Sequence, residues 1–79
     1  MFEKTLYYQN DETNSDKVYK AWLEKEGDLY NVFFAYGRYG TELKEGCKTP
    51  TPVEYETARS IINRLIDSKI KKGYIFNQS

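Results

Sequence analysis

Lys17-Val18-Tyr19-Lys20-Ala21-Trp22-Leu23-Glu24-Lys25-Glu26-Gly27-Asp28-Leu29-Tyr30-Asn31-Val32-Phe33-Phe34-Ala35-Tyr36 decides the fold of this chain. Apolar and polar side chains alternate along its first arm, and the second arm is rich in aromatic residues. Between them Gly27-Asp28 suits a two-residue type II′ turn. The stretch is therefore expected to form a β-hairpin. A two-residue turn fixes the register, pairing Leu23 with Val32, Ala21 with Phe34 and Tyr19 with Tyr36, which makes one face apolar throughout. The other face pairs Glu24 with Asn31, Trp22 with Phe33 and Lys20 with Ala35, a mixed surface with one aromatic pair in its middle. A slip of one residue would destroy this partition.

Upstream, Thr5-Leu6-Tyr7-Tyr8-Gln9 reads as a strand, and the polar run from Asn10 to Asp16 reads as a loop. Downstream, Gly37 and Gly40 mark a place where the chain needs positive φ or a close backbone approach. The segment from Thr41 to Lys48 is expected to be a short edge strand kept soluble by charge, with Leu43 and Cys47 on one side. The last element has the clearest pattern. Thr51-Pro52-Val53-Glu54 has the spacing of a capping box with proline at the first helical position, which predicts a helix from about residue 52 to about residue 72. Ala58, Ile61, Ile62, Leu65, Ile66 and Ile70 form one apolar stripe, and Lys71-Lys72-Gly73 supplies the terminal charge and stop. Docking that stripe on the apolar hairpin face gives an α+β fold, an antiparallel sheet of about four strands with one long C-terminal helix.

The chain has 79 residues, enough for one small domain (1–79) and too few for a second lobe closing over a substrate. It is 39% hydrophobic and 16% aromatic, too apolar to be disordered. No apolar run approaches the roughly 20 residues that span a bilayer, so no membrane partner is expected. The N-terminus leads into neither a signal h-region nor a basic amphipathic presequence, and the expected compartment is the cytoplasm. The chain lacks His, and Cys47 is its single cysteine. Zinc clusters and Ser-His or Cys-His catalysis are excluded by that count. No metal, no cofactor and no catalytic residue are expected, and Cys47 is read as a small apolar side chain. Formal net charge is zero but unevenly spread. Residues 1–56 carry net −4, whereas residues 57–79 carry Arg59, Arg64, Lys69, Lys71 and Lys72 against Asp67 alone. Cations there offset a helix dipole in any case.

The order of these features across residues 4–74 resembles the WGR domain family. Asp16-Lys17-Val18-Tyr19 is similar to that family's Asn-Lys-Phe-Tyr opening. Tyr36-Gly37-Arg38 stands where the family has Trp-Gly-Arg, and Tyr39-Gly40 follows it. Ala58, Lys69 and Lys72-Gly73-Tyr74 match the pattern of its closing helix. In poly(ADP-ribose) polymerases this domain helps to recognise DNA breaks. The resemblance therefore implies a non-catalytic module that binds nucleic acid, with DNA as partner. Tyr36, Gly37, Arg38, Lys69, Lys71 and Lys72 are its candidate contacts. An arginine fork can bridge phosphate oxygens, and an aromatic ring can stack on an exposed sugar or base. Tyr36 departs from the family's Trp, with a smaller ring and no indole N–H.

Each candidate has a plainer reading. Tyr36 is equally readable as an aromatic at the rim of the core, Arg38 as a side chain satisfying carbonyls of its turn, and the lysines as solvated helix-end charges. A second function class also stays open, a protein-interaction module using the aromatic face around Trp22 and Phe33, as one domain of a longer regulatory protein. Salt dependence separates the two, because phosphate contacts release counterions.

Overall fold

The computed structural model describes residues 2–76. Along the chain run β1 (Glu3–Asn10), β2 (Ser15–Glu26), β3 (Leu29–Arg38), β4 (Lys44–Cys47), α1 (Tyr55–Lys71) and β5 (Ile75–Phe76). The five strands form one sheet in the order β4-β3-β2-β1-β5, antiparallel at every pairing. The central hairpin has the expected register. Leu23 faces Val32, Ala21 faces Phe34 and Tyr19 faces Tyr36, with Glu26 opposite Leu29 across the turn. Gly27 has φ +63 while Asp28 does not share a positive φ, which is the type II′ pattern.

The helix lies on the apolar hairpin face. Leu6, Tyr19, Ala21, Leu23 and Val32 from the sheet meet Ala58, Ile62 and Ile66 from α1, all buried. Leu6, Leu23, Val32 and Ile62 are the largest of the fully buried side chains. Each such burial stabilises the fold by about 1.5–3 kcal/mol. Trp22 and Phe33 lie on the opposite face, their rings stacked 5.9 Å apart, as the register requires.

Three features differ from expectation for identifiable reasons. The helix begins at Tyr55, because Val53 makes a two-way backbone bridge to Tyr30 (2.7 and 2.8 Å) that holds it extended. Glu54 becomes the N-cap without a side-chain cap bond, so Thr51 and Glu54 form no capping box. The first connection is also shorter than its polar composition implied, since β2 starts at Ser15. Asn14 makes the reversal with φ +54, a conformation that asparagine tolerates. Finally, the sheet has a fifth strand. Past Lys72, the N–H groups of Gly73 and Tyr74 donate to the carbonyls of Ile70 and Lys69, both at 3.0 Å, the hydrogen-bond pair of a Schellman motif with Gly73 at φ +105. That reversal returns Ile75 and Phe76 to β1, opposite Tyr7 and Leu6.

Candidate nucleic-acid interface

Alternation along β2 and β3 puts Tyr19, Phe34 and Tyr36 on the helix side of the sheet. There they form a row of near-parallel rings. Tyr19 to Phe34 is 6.2 Å at 16°, and Phe34 to Tyr36 is 6.1 Å at 13°. Phe34 lies flat against β4, where Gly46 is its register partner. A Cβ on Gly46 would stand 2.5 Å from Phe34 Cζ, so only glycine leaves the ring its place. The Schellman turn adds Tyr74, edge-on to Tyr19 at 6.5 Å and tilted against Tyr8 at 5.4 Å.

The last turn of the helix places Lys69 over these rings. Lys69 Nζ is 4.7 Å from the centre of the Tyr19 ring and 5.6 Å from that of Tyr74. From the sheet side, Lys48 lies 5.1 Å over Phe34 and Lys17 lies 5.7 Å over Tyr8. Lys69 is common to two neighbouring grooves. One, of about 320 Å³, is lined by Tyr8, Ser15, Lys17, Lys69, Lys72 and Tyr74. The other, of about 250 Å³, is lined by Tyr19, Phe34, Tyr36, Lys48, Leu65, Ser68 and Lys69. Among the described residues, neither lining includes a carboxylate.

Electrostatics follow from that composition. Burial, then the neighbouring charges of Lys72, Lys48 and Lys17, hold the Lys69 ammonium below its ordinary pKa. Burial raises the phenols of Tyr19 and Tyr74, with Tyr74 adding to the first shift and Tyr8 to the second. The cations are crowded together on a neutral aromatic floor. An anion placed among them would relieve their mutual repulsion, and a flat group could lie on the rings.

Of the residues singled out in the sequence, Tyr36, Lys69 and Lys72 come together at these grooves. Tyr36 is 46% exposed while stacked on Phe34. Arg38 stands at the edge. It is the register partner of Lys17 and its Nη1 donates to the Asn14 carbonyl at 3.3 Å, leaving further N–H donors of an exposed guanidinium. It thus braces the β1–β2 loop, not its own turn as the plainer reading had it. Gly37 lines neither groove. It provides close approach on the other face, where a Cβ would meet Leu43 Cδ2 at 3.0 Å. Lys71 is exposed in the last turn and also lines neither groove.

Sequence reasoning missed Lys17, Lys48, Tyr8 and Phe34 as groove residues. Lys17 was recoverable, since the register of the hairpin places it across from Arg38. Lys48 was not. Its own N–H donates to the Val32 carbonyl at 2.8 Å, and the next residue, Thr49, is a buried hydroxyl that accepts from Val32 N at 3.1 Å and donates to Asn31 Oδ1 at 2.9 Å. That hook folds the chain after β4 across the end of β3. Cys47, expected to be apolar, is instead exposed on the edge strand, with its thiol 3.2 Å from the Thr49 carbonyl.

Among the described residues no three His, Cys, Asp or Glu side chains are grouped to hold a metal, and no helix is long and apolar enough to cross a membrane. A family model described as the WGR domain matches residues 2–79. No curated protein and no solved structure gives a significant match.

Proposed function

The chain belongs to the WGR domain family, whose domains are nucleic-acid-binding modules, and from that premise we propose that it binds DNA weakly and without catalysis, preferring ends or breaks. Tyr36, Arg38 and the lysines at the helix end make the contacts. The observation that carries this reading is the convergence of Lys17, Lys48, Lys69 and Lys72 on one aromatic floor in a chain of zero net charge. Phosphates neutralise the lysines, and the exposed ring of Tyr36 stacks on the sugar or base that a break leaves uncovered. An intact duplex offers no such surface.

Zero net charge implies modest affinity, because long-range attraction is small and binding relies on a few localised groups. About two to four phosphates are neutralised, giving a slope of about −2 to −4 in log affinity against log salt. Fluorescence anisotropy with nicked, blunt and end-sealed duplexes over a salt series tests this. Arg38→Ala should weaken binding by about 1 to 3 kcal/mol if the guanidinium holds a phosphate. Absence of binding to every duplex at low salt, or equal binding by Arg38→Ala, refutes the assignment.

A further inference from the structure

The sheet face turned away from the helix has the opposite chemistry. A groove of about 380 Å³ is lined there by Glu3, Lys20, Trp22, Ala35, Glu42, Leu43 and Glu45, among the described residues three carboxylates against one ammonium. Its floor is rigid for reasons that can be named. The Trp22 indole N–H donates to Glu24 Oε2 at 2.8 Å, which fixes the ring plane and brings a fourth carboxylate to the rim. The ring is also stacked on Phe33 at 17°. Leu43 forms a wall, held where Gly37 lets it approach the strand.

We propose that this groove docks an arginine-rich segment of a partner protein. Charge complementarity chooses the occupant, since the carboxylates around the aromatic floor repel phosphate and attract cations. The geometry favours arginine over lysine. A guanidinium lies flat on an indole while its planar fork meets a carboxylate edge-on, whereas an ammonium gives a more strongly hydrated point charge. The volume is at the lower end of ligand sites, about 300–1,000 Å³, enough for one or two long side chains but not for a folded element. The pre-set indole needs no reordering on binding, which lowers the entropic cost. This proposal is independent of the DNA reading, which concerns the other face.

Trp22 is the only tryptophan in the chain, so its emission reports directly on the groove. The full chain is titrated at low salt with three synthetic peptides, tetra-arginine, tetra-lysine and tetra-glutamate, each flanked by single glycines. The tetra-arginine peptide should shift Trp22 emission saturably and bind several-fold tighter than tetra-lysine, with no response to tetra-glutamate. Replacing both Glu42 and Glu45 by lysine should weaken tetra-arginine binding at least tenfold and leave duplex DNA binding unchanged or tighter. The milder Glu42→Gln with Glu45→Gln should give an intermediate loss, with circular dichroism verifying the fold of both variants. A linear, unsaturated response to tetra-arginine, equal binding of tetra-lysine, or unchanged tetra-arginine binding by the charge-reversed variant overturns the proposal. Loss of duplex binding in that variant would also overturn it, by assigning the groove to nucleic acid.

Discussion

Lys69→Met separates a binding role for the terminal helical lysine from a structural one. Two opposing effects set its influence on stability. The ammonium lies 4.7 Å over Tyr19 and 5.6 Å over Tyr74, cation–π contacts that favour it by about 0.5–2 kcal/mol together at a partly exposed site. Against this, burial and the charges of Lys72, Lys48 and Lys17 disfavour the protonated form. Methionine keeps an apolar stem against Tyr19 and removes both effects, so Tm should move by less than about 5 °C, the equivalent of roughly 1 kcal/mol for a domain of this size. DNA binding should respond far more. One lost phosphate contact lowers the slope of log affinity against log salt by about 0.9. It costs about 1 to 2 kcal/mol, roughly 5- to 30-fold in affinity. Anisotropy across a salt series and a thermal melt on the same preparation provide both readouts. An unchanged slope would show that Lys69 touches no phosphate, and a Tm lower by more than about 10 °C would make it a structural residue.

Gly46→Ala puts a Cβ within 2.5 to 3.3 Å of three Phe34 ring atoms. The ring must swing out of the row, so thermal denaturation should show a loss of about 1–3 kcal/mol and anisotropy a weaker complex with DNA. Binding should also depend on pH. Phosphate favours the charged form of Lys69, whose pKa is already depressed by burial and by the neighbouring lysines, so affinity should fall as pH rises through that lowered value, earlier than for an ordinary lysine. Lys69→Arg, which stays charged, should flatten the decline, and parallel profiles for the two proteins would refute the assignment. Tyr36→Trp should tighten binding to nicked duplex by up to about 1 kcal/mol through added stacking surface while leaving the salt slope unchanged; a changed slope would mean that Tyr36 acts on phosphate contacts instead.

The hairpin was legible because two independent constraints agree on it. The period-2 pattern and the Gly27-Asp28 turn each specify the pairing of Leu23 with Val32, and the structure has that pairing. The helix stripe was legible from Ala58 to Ile66 for the same reason, its period being local, whereas Ile70, read as its last member, is exposed. The start of the helix was not legible, because a tertiary bridge between Val53 and Tyr30 prevails over a local capping pattern. The strand Ile75–Phe76 is too short to show a period, and it exists only because the Gly73 turn aims it at β1. The candidate interface divides in the same way. Tyr36, Lys69 and Lys72 were visible in continuous motifs, whereas Lys48 and Tyr8 join them through strand pairing and the Thr49 hook, contacts that link residues distant in sequence.

Net charge was the most misleading quantity in the sequence, because zero describes a sum and the sheet keeps its terms apart. Lys17, Lys48, Lys69 and Lys72 gather on the helix side, and Glu3, Glu42 and Glu45 gather around Trp22 on the other. At physiological salt the screening length is about 8 Å, so a ligand in contact with one face responds mainly to that face. A polyanion then gains little attraction at a distance but a strong preference for one orientation on contact. The strand alternation that buries Leu23 and Val32 under the helix also sends Trp22 and Phe33 to the far side. The same register that gives the domain its core therefore gives it two surfaces of opposite charge, so that occupation of the cationic face leaves the acidic groove open to solvent and to a partner.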